Sequence, residues 1–327
     1  MMTEALVEQA LDEDEDAIEQ LVELAKTNPG ELELYLPRLL EGGVLWPPTL
    51  FRSLDADSKA EIIARLDATE EEEWYSLLLV LAFARGAEVE AAFRRWTTAP
   101  PPGVTVPMVY RCMLEAGWLF DDLGRDGAPA EHSAVPGPPR ELYGATAYRL
   151  VPDGEMETLA DVPCPWCRSP MWVALDVDTA DPRVAEALAH TGWSGRLRIT
   201  TCFLCACYTT TYAEVGTDGS ARWSDHTVRP EWVKDKEPEQ PAGFRLALGE
   251  RHPNRYAADP WNEGGSALGG DPDWIQDAHV TWCPGCGHAM DYVGMAGSAD
   301  LYEHGDGAYY LFLHAACGLA GIEYQQT

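Results

Sequence analysis

The residues best suited to chemistry are cysteines in tight pairs. Residues 164–171 read CPWCRSPM and residues 283–290 read CPGCGHAM, so one pattern, CPxCxxxM, occurs twice. Each copy is followed by a second pair. After 34 intervening residues Cys167 is followed by Cys202 and Cys205 in CFLC, and after 27 Cys286 is followed by His314 and Cys317 in HAAC. A two-residue spacer sets two thiolates on one turn, where backbone N–H groups meet their negative charge. Two such turns supply the four N or S donors that zinc takes in a tetrahedron. The spacing therefore predicts two zinc sites, Cys164, Cys167, Cys202 and Cys205 in one, and Cys283, Cys286, His314 and Cys317 in the other. Four protein ligands leave no open position for water, so both are expected to be structural rather than catalytic.

Several alternatives stand beside this reading. A redox CxxC would need a strand-then-helix setting that the flanking residues lack, and stable disulfides conflict with a reducing compartment. Within the metal reading, Cys207 could replace Cys205, and His288 or His304 could replace His314. Gly287 and Gly318 each follow the second ligand of a pair and take a left-handed backbone cheaply, whereas Arg168 and Ala206 do not. By local turn chemistry the second site is the better written; by ligand type the first is. Cys112 lies apart from both and reads as a small buried hydrophobe.

The rest of the chain must position these pairs. It has 327 residues, 46% of them hydrophobic, enough for more than one domain with a real core. With 54 acidic and 23 basic side chains the formal charge is -31, a field that repels phosphate polyanions and attracts basic proteins. Direct nucleic-acid binding is not expected; a basic protein partner is, although acidity can also serve solubility alone. The first twenty residues are acidic where an export signal would be basic then apolar, and the run LLLVLAFA at 77–84 is too short to cross a bilayer. A cytoplasmic protein without membrane attachment is the expectation.

Residues 1–122 predict an acidic helical domain, either a bundle or a short helical repeat. Ile18, Leu21, Val22 and Ala25 share one face, Asn28 and Pro29 form an N-cap and first turn, and Leu32 to Leu40 continue to a stop at Gly42 and Gly43. Ser58 with Glu61 and Thr69 with Glu72 have capping-box spacing, the latter opening a helix that stops at Gly86, and a further helix is expected over 105–120. Residues 123–144, rich in Pro, Gly and Ala, predict a linker. Beyond it, 145–327 is β-rich in MWVALDVD, RLRITT, YTTTYAEV and YYLFLH, with a short helix near 182–190 and long surface loops over 234–243 and 249–273. The fold class is thus α+β, an all-α part followed by a mainly β, zinc-ribbon-containing part.

Enzyme signals are poor. No GxSxG, P-loop or HExxH motif occurs. Glu303, His304 and Asp306 could form an acid/base cluster, but a Gly-flanked acidic turn explains them as well. Asp271, Asp273 and Asp277 lack the ligand spacing of a calcium loop and read as turn and cap residues.

With SALGGDPDWIQD at 266–277, CPGCGHAM, and GDGAYYLFLHAACGLAGIEYQQT at the C-terminus, the chain from about 145 to 327 resembles the bacterial YwqG-like family, in its zinc-containing subset. That family is similar to the eukaryotic programmed cell death protein 2 group, which is implicated in chaperoning a ribosomal protein. The resemblance maps Leu268, Gly269, Gly270, Pro272, Trp274 and Gln276 onto the recognition segment and the cysteines onto zinc ligands. Where this chain has His314 the pattern usually has Cys. Bacterial members occur beside polymorphic toxins and are proposed as immunity or accessory proteins. The resemblance implies a non-enzymatic binding module for a basic partner, a toxin or a ribosomal-type client.

Overall fold

The computed structural model describes residues 2–68, 73–123, 137–234, 237–254, 265–302 and 306–326, which form two units, Met1–Arg140 and Glu141–Thr327. Most of the expected linker, 124–136, lies outside the described residues, as do Thr69 and Glu72.

The first unit holds α1 (Met2–Leu11), α2 (Glu15–Thr27), α3 (Pro29–Leu32), α4 (Leu36–Glu41), α5 (Ala56–Ala68), α6 (Trp74–Ala84), α7 (Ala87–Trp96) and α8 (Val106–Glu115), with 3-10 turns at Glu33–Tyr35 and Pro48–Ser53. Their unequal lengths give an irregular helical array. The helix α6 is apolar all round, and Leu77 to Ala84 are all buried, as a central helix requires. On α7 the buried residues Val89, Ala92, Phe93 and Trp96 form one stripe. The ring of Trp118 packs 5.4 Å from Phe93, and its indole N–H donates to the carbonyl of Ala82 on α6 at 2.9 Å.

Several local expectations are corrected here. The expected capping box at Ser58 and Glu61 gives way to Asp55, whose carboxylate accepts the Ser58 N–H at 2.9 Å and whose pKa is lowered by that bond and by the Ser58 hydroxyl. Asn28 and Pro29 do open a helix, but Asn28 makes no side-chain cap bond and α3 lasts one turn. The helix foreseen to residue 120 stops at Glu115. The next residues form β1 (Trp118–Phe120), which pairs with β2 (Pro139–Glu141). Gly117, with φ 80°, makes that turn.

The second unit contains β3 (Ala147–Glu155), β4 (Thr158–Pro163), β5 (Pro170–Asp178), α9 (Pro182–Ala187), β6 (Arg196–Thr201), β7 (Thr211–Val215), β8 (Ala221–Trp223), β9 (Phe244–Arg251), β10 (Ala267–Gly269), β11 (Asp291–Gly297), α10 (Ser298–Leu301), β12 (Ala308–His314) and β13 (Leu319–Gln325). An antiparallel eight-stranded sheet runs β8-β7-β13-β12-β11-β10-β3-β9, and β4-β5-β6 form a smaller one. Two of these strands correct the loop expected over 249–273: Gly249 to Arg251 end β9, and β10 falls at its far end; residues 255–264 lie outside the described residues.

The core cluster joins Trp172, Leu175 and Ile199 of the small sheet to Tyr309, Leu311, Leu313 and Ile322 of the large one. Alternate residues of β12 face the other way. There Trp274 stacks on Tyr310 at 4.7 Å and lies nearly parallel to Phe312, while Gln276 is tied to Gln325 and Gln326. The LGGDPDW segment thus begins inside the large sheet, with Leu268 and Gly269 in β10, and ends with Trp274 covering the sheet's other face. Among the described residues no helix is long and apolar enough to cross a membrane.

The two CPxC turns are carried by hairpins of the same construction. In β5/β6 the pairs run Trp172 with Thr201 and Val173 with Thr200, then shift and continue from Leu175 with Ile199 to Asp178 with Arg196. In β11/β12 they run Asp291 with Leu313 and Tyr292 with Phe312, shift at the same place, and continue from Gly294 with Leu311 to Gly297 with Ala308. Ahead of each strand a matching bridge closes the turn, Pro163 with Pro170 and Trp282 with Ala289. A short helix, α9 or α10, follows the first strand of each hairpin. Beyond the second pair of ligands the copies part: β13 folds back onto β12, whereas β7 pairs with β13.

Candidate metal centres

In each hairpin the CPxC turn sits at the start of one strand and the second pair at the end of its neighbour, so antiparallel pairing brings four donors to one end. The donor atoms of Cys164, Cys167, Cys202 and Cys205 all lie within 4.8 Å of one another, as do those of Cys283, Cys286, His314 and Cys317. All eight residues expected from spacing therefore converge, in the two expected quartets, and each quartet could hold a metal ion. In the first, sulfur to sulfur distances are 3.5 Å for Cys167 and Cys202 and 3.8 Å for Cys164 and Cys205. A tetrahedron with zinc–sulfur bonds of about 2.3 Å has edges of about 3.8 Å. The donor set and spacing fit zinc.

The turns repeat in detail. The Cys164 N–H donates to Ser169 O at 2.7 Å and the Arg168 N–H to Cys164 O at 3.0 Å; the Cys283 N–H donates to His288 O and the Gly287 N–H to Cys283 O, both at 2.8 Å. This geometry puts the residue after the second cysteine in the left-handed region, with φ 66° at Arg168 and 76° at Gly287. Arg168 adopts the conformation that its type disfavours, at a cost of about 1 kcal/mol. Backbone N–H groups of Trp166 and Cys205 reach the sulfurs of Cys164 and Cys202, both at 3.4 Å.

Four thiols this close cannot all ionise without a cation. Hydrogen bonds from Cys202, then Cys205, hold the Cys164 thiol well below its ordinary pKa, and the same bonds push Cys202 and Cys205 up. At the second quartet burial pushes Cys283 up to about 12 and also raises Cys317. A divalent ion reverses this balance, so binding releases protons and strengthens as pH rises.

The quartets differ in cover. All four ligands of the first are buried, with Leu159, Trp166, Leu204 and Trp223 packed against them, and Trp166 meets Trp223 edge to face at 5.2 Å. In the second, Cys283 is buried, Cys286 is half-buried and Cys317 is exposed. Where the first turn has Trp166 the second has Gly285, and a Cβ there would lie 3.8 Å from the Cys283 sulfur and 3.9 Å from that of Cys317, with nothing closer than 3.6 Å.

Cys207 stays outside the first quartet, exposed, its sulfur 3.5 Å from the Tyr309 hydroxyl. Cys112 is buried in the helical unit, where desolvation raises its pKa. Glu303 and His304 lie outside the described residues. Two further residues touch ligand sulfurs: His288, expected from the sequence only as a stand-in for His314, and Ser169, which spacing alone missed. Ser169 Oγ is 3.2 Å from Cys167 and accepts the Glu239 N–H at 2.9 Å, and His288 Nδ1 is 3.4 Å from Cys286. Both stand two places after the second cysteine of their turn, a signal visible once the copies are aligned.

No family model matches the chain, and no solved structure matches it. It is similar to the uncharacterized protein YpfL of Salmonella typhimurium, at 26% identity over 332 residues, covering 96% of this chain and 73% of that protein. The likeness thus takes in both the helical and the β unit.

Proposed function

We propose that the protein is a cytoplasmic, non-enzymatic binding module whose β unit is held by two zinc ions and whose acidic surface engages a basic protein. The observation that carries the zinc reading is the convergence of two complete four-donor quartets, each filling a tetrahedron with protein atoms. Such closed sites supply folding free energy, of order 10 kcal/mol for a structural zinc, rather than an open position for chemistry.

The partner follows from charge. Four thiolates around zinc add about -2 and three with a neutral histidine about -1, which takes the formal -31 to about -34. The resemblance to YwqG-like proteins favours a toxin to be neutralised; an escorted ribosomal-type client has the same charge chemistry. Of the acidic runs, residues 70–72 lie outside the described residues, while Asp12 to Asp16 are exposed over the turn after α1 and the start of α2. Asp14 caps α2 through the Ala17 N–H, so Asp12, Asp16 and Glu19 are the positions free to vary.

The test is kinetic. The rate of association with a basic protein captured from the native host should fall steeply between low and physiological salt, with dissociation changing little. Replacing Asp12, Asp16 and Glu19 by Lys should slow association without unfolding the protein. A partner bound at a rate indifferent to salt and to these replacements would overturn the electrostatic reading.

A further inference from the structure

We propose that the second quartet is an exchangeable metal site, with His288 as a fifth donor that holds the ion while Cys317 is displaced. This rests on the reading of both quartets as zinc sites. Three features of the second hairpin, each with a contrasting counterpart in the first, carry it.

The first is access. Gly285 replaces the tryptophan that covers the other quartet, and Cys317 is exposed to solvent. The second is a route. Cys317 and Gly318 line an open cleft of about 310 Å³ with Glu214, Ser220 and Arg222 of β7, β8 and their connection, so an incoming donor can approach the most exposed ligand. The third is a spare ligand. The His288 ring lies 6.0 Å from that of His314 and within 8° of parallel, and its Nδ1 is 3.4 Å from the Cys286 sulfur. His314 presents its two ring nitrogens 3.7 and 3.8 Å from the same sulfur. Two imidazoles thus flank one thiolate, where the first hairpin has a serine hydroxyl already engaged by the Glu239 N–H.

Zinc accepts imidazole nitrogen readily and expands to five ligands in transition. An acceptor bearing thiolate or amine and carboxylate donors binds the ion from the cleft, the bond to Cys317 breaks, and the freed thiolate takes a proton from solvent. His288 closes the coordination sphere during that step. As the acceptor fills the coordination sphere, the bonds to Cys283, Cys286, His314 and His288 break in turn, the thiolates take protons from solvent, and zinc leaves with the acceptor, divalent throughout. The buried first quartet has neither the opening nor the fifth donor, and its ion stays in place.

The experiment starts from full-length protein shown by elemental analysis to hold two zinc ions, mixed with excess 4-(2-pyridylazo)resorcinol. Zinc should leave in two equal phases separated by at least about tenfold in rate. Alkylation with N-ethylmaleimide between the phases, mapped by mass spectrometry, should mark Cys283, Cys286 and Cys317 and spare Cys164, Cys167, Cys202 and Cys205. The variant His288→Ala should slow the fast phase about tenfold and leave the slow one unchanged, whereas loss of a group that only shields Cys286 would speed it. Two ions leaving at one rate, or early labelling of the first quartet, would overturn the exchangeable site. A fast phase unchanged or quickened in His288→Ala would overturn the role of His288. Protein purified without zinc would instead overturn the underlying zinc reading.

Discussion

In the first CPxC hairpin the residue just before the second cysteine is Trp166, seated against Trp223; in the second it is Gly285, and one ligand of that quartet faces solvent. The strands beneath have matching register and a matching shift, and the ligand-bearing turns make the same pair of backbone hydrogen bonds. The ligand frame is therefore common to both, and what separates a sealed site from an open one is the side chain laid over it. Burial of a metal centre is a property of its neighbours, and it can change without disturbing the donors.

The largest effect that could break this comparison is loss of a ligand. Cys205→Ser, in the buried quartet, should abolish one zinc and melt the β unit well below the helical one, a loss of several kcal/mol. Cys317→Ser, where water can take the vacated position, should cost only about 1–3 kcal/mol. Thermal melts followed by circular dichroism rank the two, and equal losses would mean that both quartets carry the fold alike.

Exchanging the covers probes the proposed cause directly. Trp166→Gly removes a half-buried ring, should cost about 2 kcal/mol, and should make the first quartet alkylate as readily as the second. Gly285→Trp should slow alkylation of Cys286 and Cys317. Unchanged labelling in both variants would show that the rings do not govern access.

The smallest effect concerns the turns. Arg168 holds φ 66°, so Arg168→Gly should stabilise the protein by about 1 kcal/mol, while Gly287→Ala, at φ 76° with nothing within 4 Å of the new Cβ, should destabilise it by about the same amount. Denaturant titration would register both. Changes of the same sign would mean that the two turns are not strained alike.

The ligands were legible in the sequence because tetrahedral coordination demands donors in close pairs, and CPxC, CFLC and HAAC put them at fixed spacing. Strands such as YYLFLH and the all-apolar α6 were legible for a similar reason, since local pattern and burial agree. Reading failed where short-range signals compete. Ser58 and Glu61 have capping-box spacing, yet Asp55 accepts the Ser58 N–H and starts α5 sooner. The polar stretch 249–273 reads as loop, yet it contributes the end of β9 and all of β10, because pairing with β3 outweighs weak local propensity.

By itself the sequence determined which side chains could hold metal and in which pairs, because those constraints act over a few neighbouring residues. Only the tertiary structure decided that Trp274 covers a sheet, that the Ser169 hydroxyl is engaged by the Glu239 N–H, and that one quartet is sealed and the other open. Each of these depends on residues distant in the chain, Tyr310 for Trp274, Glu239 for Ser169 and Trp223 for Trp166. Their proximity is set by strand register and by the turn of β7 away from β6 toward β13, which no local spacing records.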